Sequence, residues 1–187
     1  MANVRYKEWT QESNKIFKNE GHRSFSRYGW FKDRMKAPAK VLEIGFNSGD
    51  ALSYLADLGF ECTGIELPRL AKLGSDPRIE YITQNMDSPN GEQLASLFNE
   101  EFDYVILGEV LQHLVFDENC LYAIWHYLKP NGKILLSTEN RKIVRHALRY
   151  YDSSGLIKTL EVLQFKVEDF TLTEQPGYIW VCARKVI

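Results

Sequence analysis

Cysteine is scarce in this chain of 187 residues, and what there is does not pair: Cys62, Cys120 and Cys182 are odd in number and far apart. That excludes a disulfide framework and a CxxC metal knuckle, and leaves them as reduced core residues. No apolar run approaches the roughly 20 residues a membrane span needs. Met1 to Thr10 is polar where a secretory signal would carry an apolar core, so a cytoplasmic protein without a membrane partner is expected. Low-complexity tracts, internal repeats and linkers rich in Ser, Gly or Pro are also missing, so nothing divides the chain. The histidines His22, His113, His126 and His146 are isolated, with no spacing that would hold zinc.

What is present is an ordinary globular composition, 44% hydrophobic and 26% charged, on a length that allows one sizeable core and not two. A single domain over 1–187 is expected. The net charge of -2 conceals an asymmetry: residues 1–40 carry ten Lys/Arg against four Asp/Glu, and the acidic excess lies in the rest. Such a basic end can attract an anionic ligand or nucleic acid, or form a solvated helical face. Trp9, Ile16, Phe17, Phe25, Tyr28, Trp30 and Phe31 punctuate this charged stretch and predict helices there, a cap of 1–40 on a core of 41–187.

From Val41 onward short apolar runs alternate with helical spacing, the pattern of a parallel sheet with crossover helices. Strands are predicted at Lys40–Gly45, Phe60–Leu67, Ile79–Thr83, Phe102–Gly108, Lys133–Thr138, Val167–Leu172 and Tyr178–Lys185. Helices are predicted at Asp50–Leu58, Gly91–Asn99, Asn119–Leu128 and Ser154–Leu163. Lys129 to Gly132 reads as a turn, and Pro176-Gly177 as the tip of an antiparallel hairpin.

The sharpest local feature is Glu43-Ile44-Gly45-Phe46-Asn47-Ser48-Gly49-Asp50, set between a buried strand and a helix. Gly45 and Gly49 let backbone approach a ligand, and loops after the strands of an open parallel sheet are where such folds bind one. A dinucleotide fingerprint would need glycine where Asn47 and Asp50 stand, which argues against a nicotinamide oxidoreductase. Twenty-one residues after Gly45, Glu66 ends the second strand, placed to accept hydrogen bonds from both hydroxyls of a ribose. Asp87 can take an adenine amino group with Met86 packed on the ring, although Asp-Ser-Pro is equally a turn signal.

These residues resemble the class I S-adenosylmethionine-dependent methyltransferases, most closely the small-molecule branch typified by ubiquinone-pathway enzymes. VLEIGFNSG is similar to the family's first motif, the strand ending in Glu66 to its second, FDYVILGEVLQHL to its fourth-strand signature and YLKPNGKILLST to the turn and strand that follow. The resemblance implies an α/β, Rossmann-like fold: a mostly parallel seven-stranded sheet of order 3-2-1-4-5-7-6 with helices on both faces. It further implies an enzyme using S-adenosyl-L-methionine. Gly45, Phe46, Asn47 and Gly49 would face its methionine portion, Glu66 and the neighbouring Leu67 the ribose, Met86 and Asp87 the adenine, and the Gly108 backbone the amino group. Arg27 would reach the carboxylate, in competition with Arg23 and Arg34. The family commonly has glycine at Asn47, but asparagine tolerates left-handed backbone better than most residues.

Methyl transfer from a sulfonium needs alignment and, for some acceptors, removal of a proton. His113, just past the fourth strand, has a suitable pKa for that task, while a purely structural role in the loop is the competing reading. No metal is expected, because the place where catechol-type relatives cluster aspartates reads Gly108-Glu109-Val110. The absence there of an Asp/Asn-Pro-Pro-aromatic tetrapeptide disfavours methylation of base or amide nitrogens. Substrate choice falls to the N-terminal segment and to Glu139–Asp152, where Arg141, Lys142, Arg145 and Arg149 can face an anionic small molecule, or Ile143, Ala147 and Tyr150 can form an amphipathic lid. An RNA acceptor is the lesser alternative. A partner or regulatory subunit that binds cofactor without catalysis is the alternative from another class.

Overall fold

The computed structural model describes residues 23–68, 74–140, 147–173 and 177–186. The predicted helical positions before residue 23, the cations Arg141, Lys142 and Arg145, Ile143, His22, His146 and Pro176 lie outside them. Strands β1 (Lys40–Ile44), β2 (Glu61–Glu66), β3 (Glu80–Thr83), β4 (Phe102–Gly108), β5 (Leu128–Glu139), β6 (Phe165–Leu172) and β7 (Tyr178–Lys185) form one sheet of order β3-β2-β1-β4-β5-β7-β6. The pairings are parallel except for β5 with β7 and β7 with β6. This is the expected Rossmann-like order.

The alternation of side chains along each strand divides the core in two. Leu42, Ile44, Val105, Leu107, Ile134 and Leu136 pack with α3 (Gly91–Ala95), α4 (Asp117–Tyr127) and α5 (Ser153–Val162) on one face. Val41, Ile106, Leu135 and Cys182 pack with α1 (Arg23–Lys32) and α2 (Asp50–Asp57) on the other. Helix α2 shows how local sequence sets the boundaries. Its buried Ala51, Leu52 and Leu55 recur at helical spacing, and Gly59, at φ 89°, ends it. Gly59 N–H bonds Ala56 O at 3.0 Å and Phe60 N–H bonds Leu55 O at 3.2 Å, the two bonds of a Schellman stop.

Two boundaries differ from expectation by more than a residue or two. Helix α3 ends at Ala95 rather than Asn99, because Ser96 turns its hydroxyl back onto Gln93 O at 2.8 Å and Glu100 adopts φ 50°. Strand β5 starts at Leu128, five residues early, since Leu128 pairs with Phe102 before the Lys129–Gly132 turn bulges out and Lys133 pairs with Tyr104. At the far end of β7 the buried Lys185 ammonium is fully used: it donates to Leu128 O at 2.8 Å and Glu100 Oε1 at 3.0 Å and lies 4.0 Å from the Trp125 ring. No helix among the described residues is long and apolar enough to cross a membrane.

Helix α1 fixes the start of the site. Phe31 is wholly buried beneath it, Trp30 Nε1 donates to Thr171 Oγ1 at 3.2 Å, and Arg34 stacks on Trp30 while pairing with Asp169. Phe31→Ala should therefore lower unfolding free energy by about 3–5 kcal/mol, read as a lower denaturant midpoint with unchanged slope; a loss under about 1 kcal/mol would detach α1 from the cooperative core.

Candidate active site

The parallel strands end at a common edge, and there the chain turns through left-handed geometry repeatedly. Gly45 (φ 79°), Asn47 (φ 54°) and Gly49 (φ 80°) shape the loop after β1. Gly45 is required twice over, since a Cβ there would lie 2.4 Å from Val110 Cγ2. Asn47 adopts the conformation the turn demands and gives its N–H to Glu66 Oε2 at 3.0 Å. Glu66 Oε1 takes the Leu67 N–H at 2.8 Å. The carboxylate is thus buried and held in place by backbone. Phe46 is buried against Tyr81, ring centroids 5.0 Å apart, and closes the loop from below.

Met86 is buried in the cluster that contains Ile65, Leu111 and Leu114. Asp87 Oδ1 accepts the backbone N–H groups of Val115 and Phe116, both at 2.9 Å. That oxygen belongs to the loop, and Oδ2 is the one left to a ligand. Gly108, at the end of β4, is flanked by α1: a Cβ on it would lie 3.5 Å from both Arg27 Nε and Tyr28 Oη. Arg27 lies beside Gly108, and the Arg23 side chain is outside the described residues. Arg34 is spent on Asp169.

Sequence reasoning passed over Glu43. It sits inside β1 and is 1% exposed. A charge in the middle of an otherwise apolar buried strand was the available signal. Tyr28 Oη donates to Glu43 Oε1, whereas Glu43 Oε2 and Arg27 Nε are buried with no hydrogen-bond partner. Burial pushes the Glu43 carboxyl up to about 7, against the pull of the Tyr28 hydrogen bond and the Arg27 charge, with Glu66 adding to the rise. The same burial raises the Tyr28 phenol. Arg27 Nη1 lies 3.6 Å from Glu109 Oε1. Glu109, at φ 60°, is also raised by burial, offset by Arg27 and by hydrogen bonds to Ser137 and Gln112.

The turn carrying His113 is a single 3₁₀ turn, Leu111–His113. Its neighbours are stitched on all sides. Gln112 is buried, donates to Glu109 Oε2 at 3.2 Å and accepts from Thr138 Oγ1 at 3.0 Å. Its carbonyl takes the Leu148 N–H at 2.9 Å. Asp117 receives Arg149 Nη1 at 2.8 Å and Tyr151 Oη at 2.6 Å, and Arg149 Nη2 reaches Val115 O at 3.1 Å. Arg149 is thus held by this clamp. Among the described residues no group of three His, Cys, Asp or Glu side chains could hold a metal. A cavity of about 480 Å³ lined by Lys40, Phe60, Glu61 and Asp103 opens at the opposite edge and contains none of these groups.

The described groups fit an amino-acid zwitterion joined to a nucleoside. A cationic donor (Arg27 Nε) beside Gly108 and an acidic acceptor (Glu43 Oε2) on the adjoining β1 stand without hydrogen-bond partners, and the Glu66 carboxylate is held one strand away.

A family model described as a methyltransferase domain matches residues 16–167. Over 141 residues the chain is 31% identical to the ubiquinone biosynthesis O-methyltransferase of Xanthomonas oryzae pv. oryzae, covering 72% of this chain and 57% of that protein. The chain thus spans little more than half the length of this curated relative. Among solved structures, a TehB-like S-adenosylmethionine-dependent methyltransferase from Corynebacterium glutamicum superposes with TM-score 0.77 at 16% identity, covering 98% of this chain and all of that one. The 1,6-didemethyltoxoflavin-N1-methyltransferase of Burkholderia thailandensis, solved with 1,6-didemethyltoxoflavin and S-adenosylhomocysteine, superposes at 0.72 and 20% identity, covering 98% and 87%. At these identities the superpositions show the fold.

A carboxyl raised in the folded state favours the protonated form. The stability Glu43 contributes is complete below its unfolded pKa and is lost as pH rises through about 7. Glu43→Gln removes this loss. Between pH 5 and pH 8 the variant should gain on the wild type by about 3 kcal/mol at most, read from paired urea titrations; a constant difference across that range would show that Glu43 does not titrate there.

Proposed function

Since the chain belongs to the methyltransferase-domain family, we propose that it transfers a methyl group from S-adenosylmethionine to a small-molecule acceptor. The observation that carries this reading is the unfilled pair of Arg27 Nε, beside Gly108, and Glu43 Oε2, on the neighbouring strand. S-adenosylmethionine supplies a methyl group already activated on a sulfonium sulfur, so the protein's part is binding, alignment and proton removal.

Arg27 takes the carboxylate of the amino-acid end, and Glu43 with the Gly108 backbone takes its ammonium. Gly45, Phe46, Asn47 and Gly49 bring the loop after β1 against the methionine portion. Glu66 and Leu67 receive the ribose. Met86 and the free oxygen of Asp87 receive the adenine. His113 removes the acceptor's proton, and the clamp of Gln112, Asp117, Arg149 and Tyr151 keeps its turn from drifting. The O-methyltransferase relatives favour an oxygen nucleophile. An anionic acceptor would meet Arg149 only as a group already paired with Asp117.

Calorimetric titration with S-adenosylhomocysteine tests the cofactor half of this reading. Micromolar binding is expected, weakened tenfold or more, about 1.4 kcal/mol, in Glu66→Ala. Wild-type protein that binds neither S-adenosylmethionine nor S-adenosylhomocysteine would overturn the assignment. Tritium transferred from methyl-labelled cofactor to a metabolite fraction by the wild type, and lost in the variant, would establish the acceptor half.

A further inference from the structure

Within the site just described, one arrangement asks for more than static charge complementarity. A β1 position flanked by Leu42 and Ile44 holds a buried carboxyl, and only one of its oxygens is used, by Tyr28. The groups facing Glu43 come from three directions. Arg27 and Tyr28 reach it from α1, and Glu66 from the end of β2; the Cys62 thiol on β2 senses its charge. Beyond Arg27 stands Glu109, which draws on the same guanidinium at 3.6 Å. Glu43 therefore has a cation nearby that it must share, one neutral hydrogen-bond donor, and a second carboxylate in its field.

We infer, on the premise of the cofactor reading above, that capture of the cofactor's amino-acid end is proton-linked: Glu43 releases its proton to solvent as the ammonium group arrives, and Tyr28 is the positioning residue that sets where in pH this happens. No covalent bond changes. A protonated Glu43 keeps an oxygen that can accept from the ammonium but brings no negative charge to it, so the pair is much weaker until the carboxyl ionises. An ionised Glu43 then gains the cation that completes its buried hydrogen bonding. Burial holds the carboxyl near neutrality, which puts the exchange in an accessible range. The Tyr28 hydroxyl, by donating to Glu43 Oε1, favours the ionised form; removing it makes ionisation harder.

The test is isothermal titration of the full chain with S-adenosylhomocysteine from pH 6 to pH 8, in buffers of different ionisation enthalpy. Methylthioadenosine, which lacks the amino-acid end, serves as the comparison ligand. Wild-type affinity for S-adenosylhomocysteine should fall about tenfold from pH 8 to pH 6, with close to one proton released per ligand at the acid end. Glu43→Gln should bind more weakly and without slope. Tyr28→Phe should move the midpoint to higher pH, losing affinity below pH 7 and recovering most of it by pH 8. A merely structural role for Tyr28 would lower affinity equally at every pH, and that result would overturn its part. Flat wild-type affinity without proton release, or the same slope with methylthioadenosine, would overturn the inference while leaving the cofactor reading intact. Failure of S-adenosylhomocysteine to bind at any pH would overturn both.

Discussion

Parallel strands that finish at one edge leave their outgoing backbone with N–H groups that no ladder can pair, and much of this site follows from how the chain meets that demand. Buried donors must find acceptors. Glu66 takes two, from Asn47 and Leu67, and Asp87 takes two, from Val115 and Phe116. Ser137 receives the Glu109 N–H, and the Gln112 and Glu139 carbonyls receive Leu148 and Tyr151. The polar side chains at this edge are stitches before they are ligands' partners. A carboxylate has about four acceptor positions, so Glu66 and Asp87 can do both.

Glu43 and Arg27 are exceptions to that economy, because their free atoms stitch nothing. A buried carboxyl in the middle of a strand is costlier than the valine or leucine the position would otherwise hold. The fold tolerates it by lining up partial compensation from α1: a phenol on one oxygen and a shared guanidinium nearby. The docking of α1 through Phe31, Trp30 and Arg34 is thus what makes the charged strand position bearable. It also explains why the basic N-terminal stretch matters by position more than by net charge.

The strand order and the Gly45–Asp50 turn could be read from the sequence because their signals are local: apolar runs of strand length, glycines at a strand-to-helix junction, an acid at a set distance. Glu66 was legible for the same reason. The partners of Glu43 were not, since Tyr28 lies 15 residues away on a helix whose rotation no spacing rule fixes. The position of Arg27 beside Gly108 depends on that same rotation, and Arg34 is paired instead with Asp169, 135 residues away. Arg149 shows a different limit: as one of several cations in a basic, aromatic stretch it gave no sign of its partner, and only the fold reveals the buried Asp117 paired with it. The early start of β5 has a similar cause: Leu128 joins the sheet because Phe102 is opposite it, which no turn signal at Lys129–Gly132 could announce.

These differences in origin separate two halves of the site. The half made of β1, β2 and β4 ends is fixed by sheet register and glycine geometry, so it can change little without loss of the fold. The half that the proposed reading turns toward the acceptor is built on the His113 turn and residues 148–151, joined to the core through Gln112, Asp117 and the Glu139 carbonyl. Side chains there, such as Val115, Leu148 and Tyr150, are exposed and carry no packing duty. They can vary while the clamp beneath them keeps the backbone in place. Acceptor choice is therefore free to diverge among chains that share the first half, which is why a common cofactor reading follows from this fold more readily than a common substrate.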